Sequence, residues 1–268
     1  EIGSGLVGSE MCIRDSHYTL FLNIAVSISA ACLTYAVCLY MAELLLHVSA
    51  VHEAGYICSM LFIIPGFPFI TSGIDLAKLD LRSGLERLTY SIIIVLVATM
   101  FAWIMALLLK LQPQDFVALH LGSMMHLVLR LIASFCGVFG FSIMFNSSVY
   151  IAATAACIGA VANTLRLELV DYTGMPSAAA AFIGALTAGL LASIIKRNHG
   201  YPRISLTVPS IVIMVPGLYL YRAIYNFGIM SLTEAVLWFA AAIMIIVSLP
   251  LGLIFARILT DRTFRYCS

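Results

Sequence analysis

Two proline–glycine pairs stand in apolar surroundings, and each is followed about ten residues on by a polar group that could meet a solute or a proton. SMLFIIPGFPFITSGIDL begins at Ser59 and SIVIMVPGLYLYRAIYNF at Ser210, an offset of 210 − 59 = 151 that holds without a gap. Pro65-Gly66 falls on Pro216-Gly217 and Asp75 falls on Asn226. A proline has no N–H for the carbonyl four residues back, so Pro65 frees the Leu61 carbonyl, Pro216 frees Val212, and Pro68 frees Ile64. Glycine removes the side chain that would oppose a turn or a close backbone approach. Freed carbonyls are expensive in hydrocarbon and survive only where protein, water or a solute satisfies them.

Among the polar residues that follow, Asp75 and Arg222 are the first candidates to touch substrate or a coupling proton, because charge inside a membrane is costly and is kept mostly for function. Tyr219 and Asn226 join them, with Pro65, Gly66, Pro216 and Gly217 shaping the breaks. The competing reading makes Asp75 a cap on a helix entering a loop, and the breaks mere packing kinks. Lys78, Arg82 and Arg87 read as cytoplasmic anchors, and Glu43 and Arg130 as side chains that snorkel from span ends.

These groups must be positioned by membrane helices. Of 268 residues 62% are hydrophobic and 10% are charged, with a mean hydropathy of +1.06; soluble domains carry about 25% charged residues. The fold class is therefore an all-α polytopic bundle, its partner the lipid bilayer. A net charge of +1 gives no pull towards nucleic acid. About 20 apolar residues cross a bilayer, which yields eight candidate spans: 20–46, 54–71, 89–109, 127–146, 147–165, 177–195, 205–221 and 234–258. A tight hairpin at Asn146-Ser147-Ser148 is preferred to one helix over 127–165, which would be about twice the bilayer core.

Threading these spans places Lys78, Arg82, Arg87, Lys196, Arg197, Arg203, Arg257, Arg262 and Arg265 on one side, and Lys110, Arg130, Arg166 and Arg222 on the other. Cytoplasmic connections carry the excess of Lys and Arg. The expectation is a cytoplasmic 72–88 loop, an external 222–233 loop and both termini inside. Spans matched by the 151-residue offset lie five apart, an odd displacement that inverts the second copy. Inverted repeats with broken helices at a midplane site recur in secondary transporters.

The organisation reads as a tail over 1–16, a first repeat over 17–126 with three spans, and a second over 127–268 with five. The tail's GLVGSEMCIRDS resembles translated adapter sequence and is expected to be non-native. The second repeat has two spans before 177–195 with no counterpart before residue 20, so two helices are expected upstream. Ala180, Gly184, Ala188 and Ala192, like Ala152, Ala156 and Ala160, recur every four residues and suit close helix packing. Asn163 reads either as a polar link between helices or as a lining residue.

No cofactor, metal or catalytic constellation is legible. The seven cysteines show no CxxC spacing, and the six histidines fall at span ends or loops. His52-Glu53 lacks the second histidine of a zinc-protease motif, position 56 being Tyr. No GxSxG, Walker A or dinucleotide fingerprint occurs.

At the breaks the chain resembles the threonine/serine exporter family. Pro65-Gly66-Phe67-Pro68, then Asp75-Leu76 and Gly84-Leu85-Glu86-Arg87-Leu88, are similar to its first-half motifs; Val215-Pro216-Gly217-Leu218-Tyr219 is similar to its second. The likeness covers about residues 17–268. It implies ten spans as two groups of five, and proton-driven export of threonine and serine; two-subunit relatives imply dicarboxylates such as succinate. This sequence departs in lacking the family's soluble N-terminal region and first two spans. The expected partners are thus an amino acid or a dicarboxylate, protons, and either further copies of the chain or a second subunit. The alternatives are a scaffold subunit that transports nothing and, third, a membrane-embedded enzyme. Transport predicts water-lined breaks at Pro65 and Pro216; scaffolding predicts dry ones.

Overall fold

The computed structural model describes residues 19–46, 53–60, 62–109 and 122–261. Among them regular structure is helix throughout: α1 Leu20–Leu46, α2 Glu53–Met60, α3 Gly66–Ala77, α4 Leu81–Leu108, α5 Ser123–Met144, α6 Val149–Thr173, α7 Ser177–His199, α8 Arg203–Val212, α9 Gly217–Gly228 and α10 Leu232–Thr260. Six of these are long and apolar enough to cross a membrane, and the pair α8–α9, bent by 42°, makes a seventh where the two are taken as one broken span. The eighth expected crossing, 54–71, contains Leu61, which lies outside the described residues, as does the whole of the 1–16 tail.

Both proline–glycine pairs break their helices, with Pro65 and Pro216 each preceding the first residue of a new helix. The carbonyls of Ile64 and Val212, freed by Pro68 and Pro216, are satisfied within the turns. Val212 O accepts from Val215 N–H at 3.1 Å, and Ile64 O from Gly66 N–H at 2.7 Å. No solute is needed to hold the breaks open, which accounts for their survival in an apolar setting.

The 151-residue register extends to the backbone. The turn after α3 has Leu79 at φ 63° and the turn after α9 has Met230 at φ 62°. Asp80 N–H donates to Asp75 O at 3.1 Å, and its counterpart Ser231 N–H donates to Asn226 O at 2.9 Å. Packing obeys the same exchange. α1 packs on α2 and α4 as α7 packs on α8 and α10; α3 packs on α4 and α10 as α9 packs on α10 and α4. A two-fold relation between α1–α4 and α7–α10 is thus written in both hydrogen bonds and contacts. The hairpin α5–α6 adds to the second half, against α7 and α8.

The regions expected as loops, 72–88 and 222–233, are corrected. α3 and α9 run through their polar ends, leaving only 78–80 and 229–231 as connections. Hydropathy marks where a helix is apolar, whereas the backbone bonds that make it a helix continue into polar sequence. Asp80 caps α4 by accepting from Ser83 N–H at 3.5 Å. The hairpin at 146–148 is present, with Asn146 in the left-handed region at φ 59°, a conformation asparagine tolerates better than most residues.

Small residues set the spacing of the second half. Ala152, Ala156, Ala180, Ala188 and Ala192 are fully buried, and Gly184 is buried with them. Asn163 links helices: its Nδ2 donates to Ser134 Oγ at 2.8 Å across α6 and α5. Arg130, expected to snorkel, instead turns inward and pairs with Glu168 at 2.9 Å and with Asp171 on α6. The two acids lie one turn apart, on the helix that packs against its own, and take up both terminal guanidinium nitrogens.

Candidate functional site

A cavity of about 490 Å³ opens between the two halves, a size that suits a small metabolite. α3 contributes Thr71, Asp75 and Lys78, α4 contributes Arg87, the α5–α6 turn contributes Asn146, Ser147 and Ser148, and α8 contributes Ser205 and Pro209. Phe67 and Phe145, edge to face at 5.4 Å, form an apolar wall.

The chemistry is carried by an ion pair. Arg87 Nη1 donates to Asp75 Oδ2 at 2.7 Å, with the two side chains 45% and 18% exposed. Ser83 Oγ donates to the same oxygen at 3.5 Å. Both bonds fall on Oδ2, leaving Oδ1 for another donor. Gly84 makes this geometry available. A Cβ there would stand 2.7 Å from Leu76 Cγ and 3.1 Å from Leu76 N, so any larger residue would push α4 off α3. Proline at 209 leaves the Ser205 carbonyl without its helical donor, and the start of α6 brings the positive end of a helix dipole to the cavity. Carboxylate, guanidinium, ammonium and neutral acceptors therefore share one space. Such a set can hold a zwitterion by both ends.

The breaks themselves meet elsewhere. Gly66 and Gly217 line a separate space of about 120 Å³ with Ile64, Phe141, Val212, Ile213 and Val215. A Cβ on Gly66 would lie 3.2 Å from Val212 Cγ1 and 3.3 Å from Val215 Cγ2. The two breaks come together, as the repeat predicts, but their junction is apolar. The expectation of water-lined breaks fails there: the polar cavity lies along α3, with Asp75 about 13 Å from Gly66 at ~1.5 Å per residue.

The remaining candidates form another group. Tyr219 meets Trp238 edge to face at 5.3 Å, and Arg222 Cζ sits 4.7 Å from the Trp238 ring centre. Asn226 Nδ2 donates to Arg222 O at 2.9 Å. None of Tyr219, Arg222 or Asn226 lines the cavity of Asp75. Asp75 and Asn226 thus keep equivalent backbone positions without facing one shared space in this conformation.

Sequence reasoning missed part of the site. Lys78 and Arg87, expected as anchors, line the cavity instead, because the turn at 78–80 folds α4 back along α3. Arg82 does behave as a surface group, paired with Glu86 and 91% exposed. Arg87 stands in the Gly84–Leu88 stretch that carries the family likeness, and Trp238 is its counterpart under the 151-residue register, so both signals were present. The 146–148 turn carried none, since its approach to the cavity depends on the packing of α5 and α6.

Comparison with known families agrees with this architecture. The model described as Threonine/Serine exporter, ThrE matches residues 130–259, and a second, described as Putative threonine/serine exporter, matches residues 3–110. The second match begins inside the 1–16 segment. No curated protein and no solved structure matches the chain. Two family models, one on each half of an all-helical bundle built for a bilayer, lead to one assignment: the chain is an integral membrane protein and belongs to the threonine/serine exporter family.

Proposed function

We propose that this protein is a secondary transporter that exports threonine or serine in exchange for protons, with the solute held in the Asp75 cavity. The observation that carries the reading is the Asp75–Arg87 pair, two opposite charges in one polar cavity between the repeats. An amino acid inserts its ammonium group at Asp75 and its carboxylate at Arg87 and Lys78. Asp75 then accepts either a proton or the solute's ammonium, and that exclusion is what antiport requires. The nine-to-four excess of Lys and Arg supports placing the cavity on the cytoplasmic side of a bacterial plasma membrane, with both termini inside.

A dicarboxylate is the second reading, favoured by two cations against one carboxylate in the cavity. It requires Asp75 protonated when the solute binds. The apolar junction of the breaks is what a pure scaffold expects; the convergence of Asp75, Lys78 and Arg87 on one cavity is what favours transport over it.

The test is efflux of labelled threonine from proteoliposomes under an imposed pH gradient. Asp75→Asn is expected to abolish gradient-driven flux while leaving the protein folded and inserted. Flux that survives with unchanged pH dependence would remove Asp75 from the mechanism. Labelled succinate replacing threonine as the accepted solute would move the substrate to dicarboxylates.

A further inference from the structure

Arg166 is a cation that the cavity does not use. Expected on an external connection, it lies inside α6, about four turns beyond the cavity-lining Ile151 and roughly 20 Å further along the helix. The residue as a whole is only partly covered, but its Nε is sealed from solvent and has no hydrogen-bond partner. Among the described residues it makes no ion pair. The nearest acids on its own helix, Glu168 and Asp171, are already committed to Arg130.

Its surroundings direct it at the second break. A Cβ on Gly184 would stand 3.2 Å from Arg166 Cβ and 3.2 Å from Met214 Sδ. The foot of the Arg166 side chain therefore lies against Gly184 of α7, beside Met214 in the turn before Pro216. Tyr219, the first polar residue after that break, interacts with it electrostatically. A guanidinium within a membrane-spanning helix, with a sealed Nε that has no acceptor, is unfavourable unless something bound there supplies the partner. Its planar fork matches a carboxylate with two parallel bonds.

We propose that Arg166, with Tyr219 beside it, is a second carboxylate-binding station, on the far side of the Gly66–Gly217 junction from Asp75. It rests on the export reading only for the identity of the carboxylate, that of the transported solute. A solute leaving the Asp75 cavity passes the apolar junction when the breaks part. Its carboxylate is then taken by Arg166 before release.

The experiment compares three chains, wild type at position 166, Arg166→Lys and Arg166→Gln, each carrying Lys78→Gln and Arg87→Gln so that the first cavity does not bind the carboxylate, all in neutral phosphatidylcholine nanodiscs so that no anionic lipid competes. Binding of L-threonine, threonine methyl ester and succinate is measured for each. The chain with Arg166 is expected to prefer a free carboxylate over the ester, and Arg166→Gln to bind it at least about tenfold more weakly, the worth of a lost charge-assisted bond. The ester should be bound alike by all three. Arg166→Lys, which keeps the charge but loses the fork, should fall between them, and it decides the matter if Arg166→Gln does not fold. Unchanged acid-over-ester preference in Arg166→Lys and Arg166→Gln would overturn the station, as would a chain with Arg166 that binds neither acid. Arg166-dependent binding of succinate alone keeps the station and sinks only the threonine reading.

Discussion

The two corners of the molecule, α3–α4 in the first repeat and α9–α10 in the second, share a backbone and differ in chemistry. Each begins at a proline–glycine break, runs twelve residues, turns through one left-handed residue and returns along a long helix. Under the 151-residue register Thr71 is replaced by Arg222, Asp75 by Asn226 and Arg87 by Trp238. The first corner closes with an ion pair, the second with a cation over an aromatic ring. An ion pair needs a carboxylate, whereas a guanidinium over an aromatic ring involves no acidic group. The backbone of the two corners is alike, and the chemistry that they carry is not.

The comparison can be broken outright by exchanging its polar residues. Asp75→Asn combined with Asn226→Asp moves the ionisable group to the other corner, where no Arg87 awaits it. Gradient-driven efflux is expected to stay as low as in Asp75→Asn alone. Recovery of flux in the double variant would show that the corners are interchangeable and that the Asp75–Arg87 pair has no special role.

The junction of the breaks offers the next largest effect. Gly217→Val and Gly66→Val should each reduce transport under any driving gradient, including solute counterflow without a pH difference. The added side chain fills the small space where the breaks meet. Counterflow at the wild-type rate would mean that the breaks do not move.

A smaller effect tests how the corners are packed. Gly84 and its counterpart Ala235 sit at equivalent points of α4 and α10. Gly84→Ala brings a Cβ to within 3.1 Å of the Leu76 backbone and is expected to cost about 1–3 kcal/mol by overpacking. Ala235→Gly removes a fully buried methyl group and should cost about 0.5–1 kcal/mol. Thermal unfolding in detergent compares the two, and equal shifts would argue against a tighter first corner.

The smallest concerns the aromatic contact. Trp238→Leu is expected to lower stability by about 0.5–1 kcal/mol through loss of the cation–π interaction with Arg222, beyond what its lost area explains. The matching Arg222→Met variant separates the two contributions in a double-mutant cycle. Additive effects would show that the contact carries no energy of its own.

The helices, the hairpin at Asn146 and both breaks were legible before the structure, because they follow from local causes. Apolar runs of membrane length must satisfy their own backbone groups, and a proline must leave a carbonyl without its donor. The repeat was legible for the same reason, since both copies need the same break and turn. Tertiary structure decided the rest. Whether Arg87 anchors at an interface or faces Asp75 depends on how the turn at 78–80 sets one helix against another. Each residue rotates a side chain by about 100° around its helix, so a small change in packing moves a charge from lipid to cavity. Arg130 found its acids on a neighbouring helix, and Arg166 came to lie against Gly184 of α7 by the same kind of contact. Composition and spacing determined that this chain is a bundle of broken and unbroken membrane helices; only packing decided which of its few charges meet, because that is a property of surfaces brought together and not of any one segment.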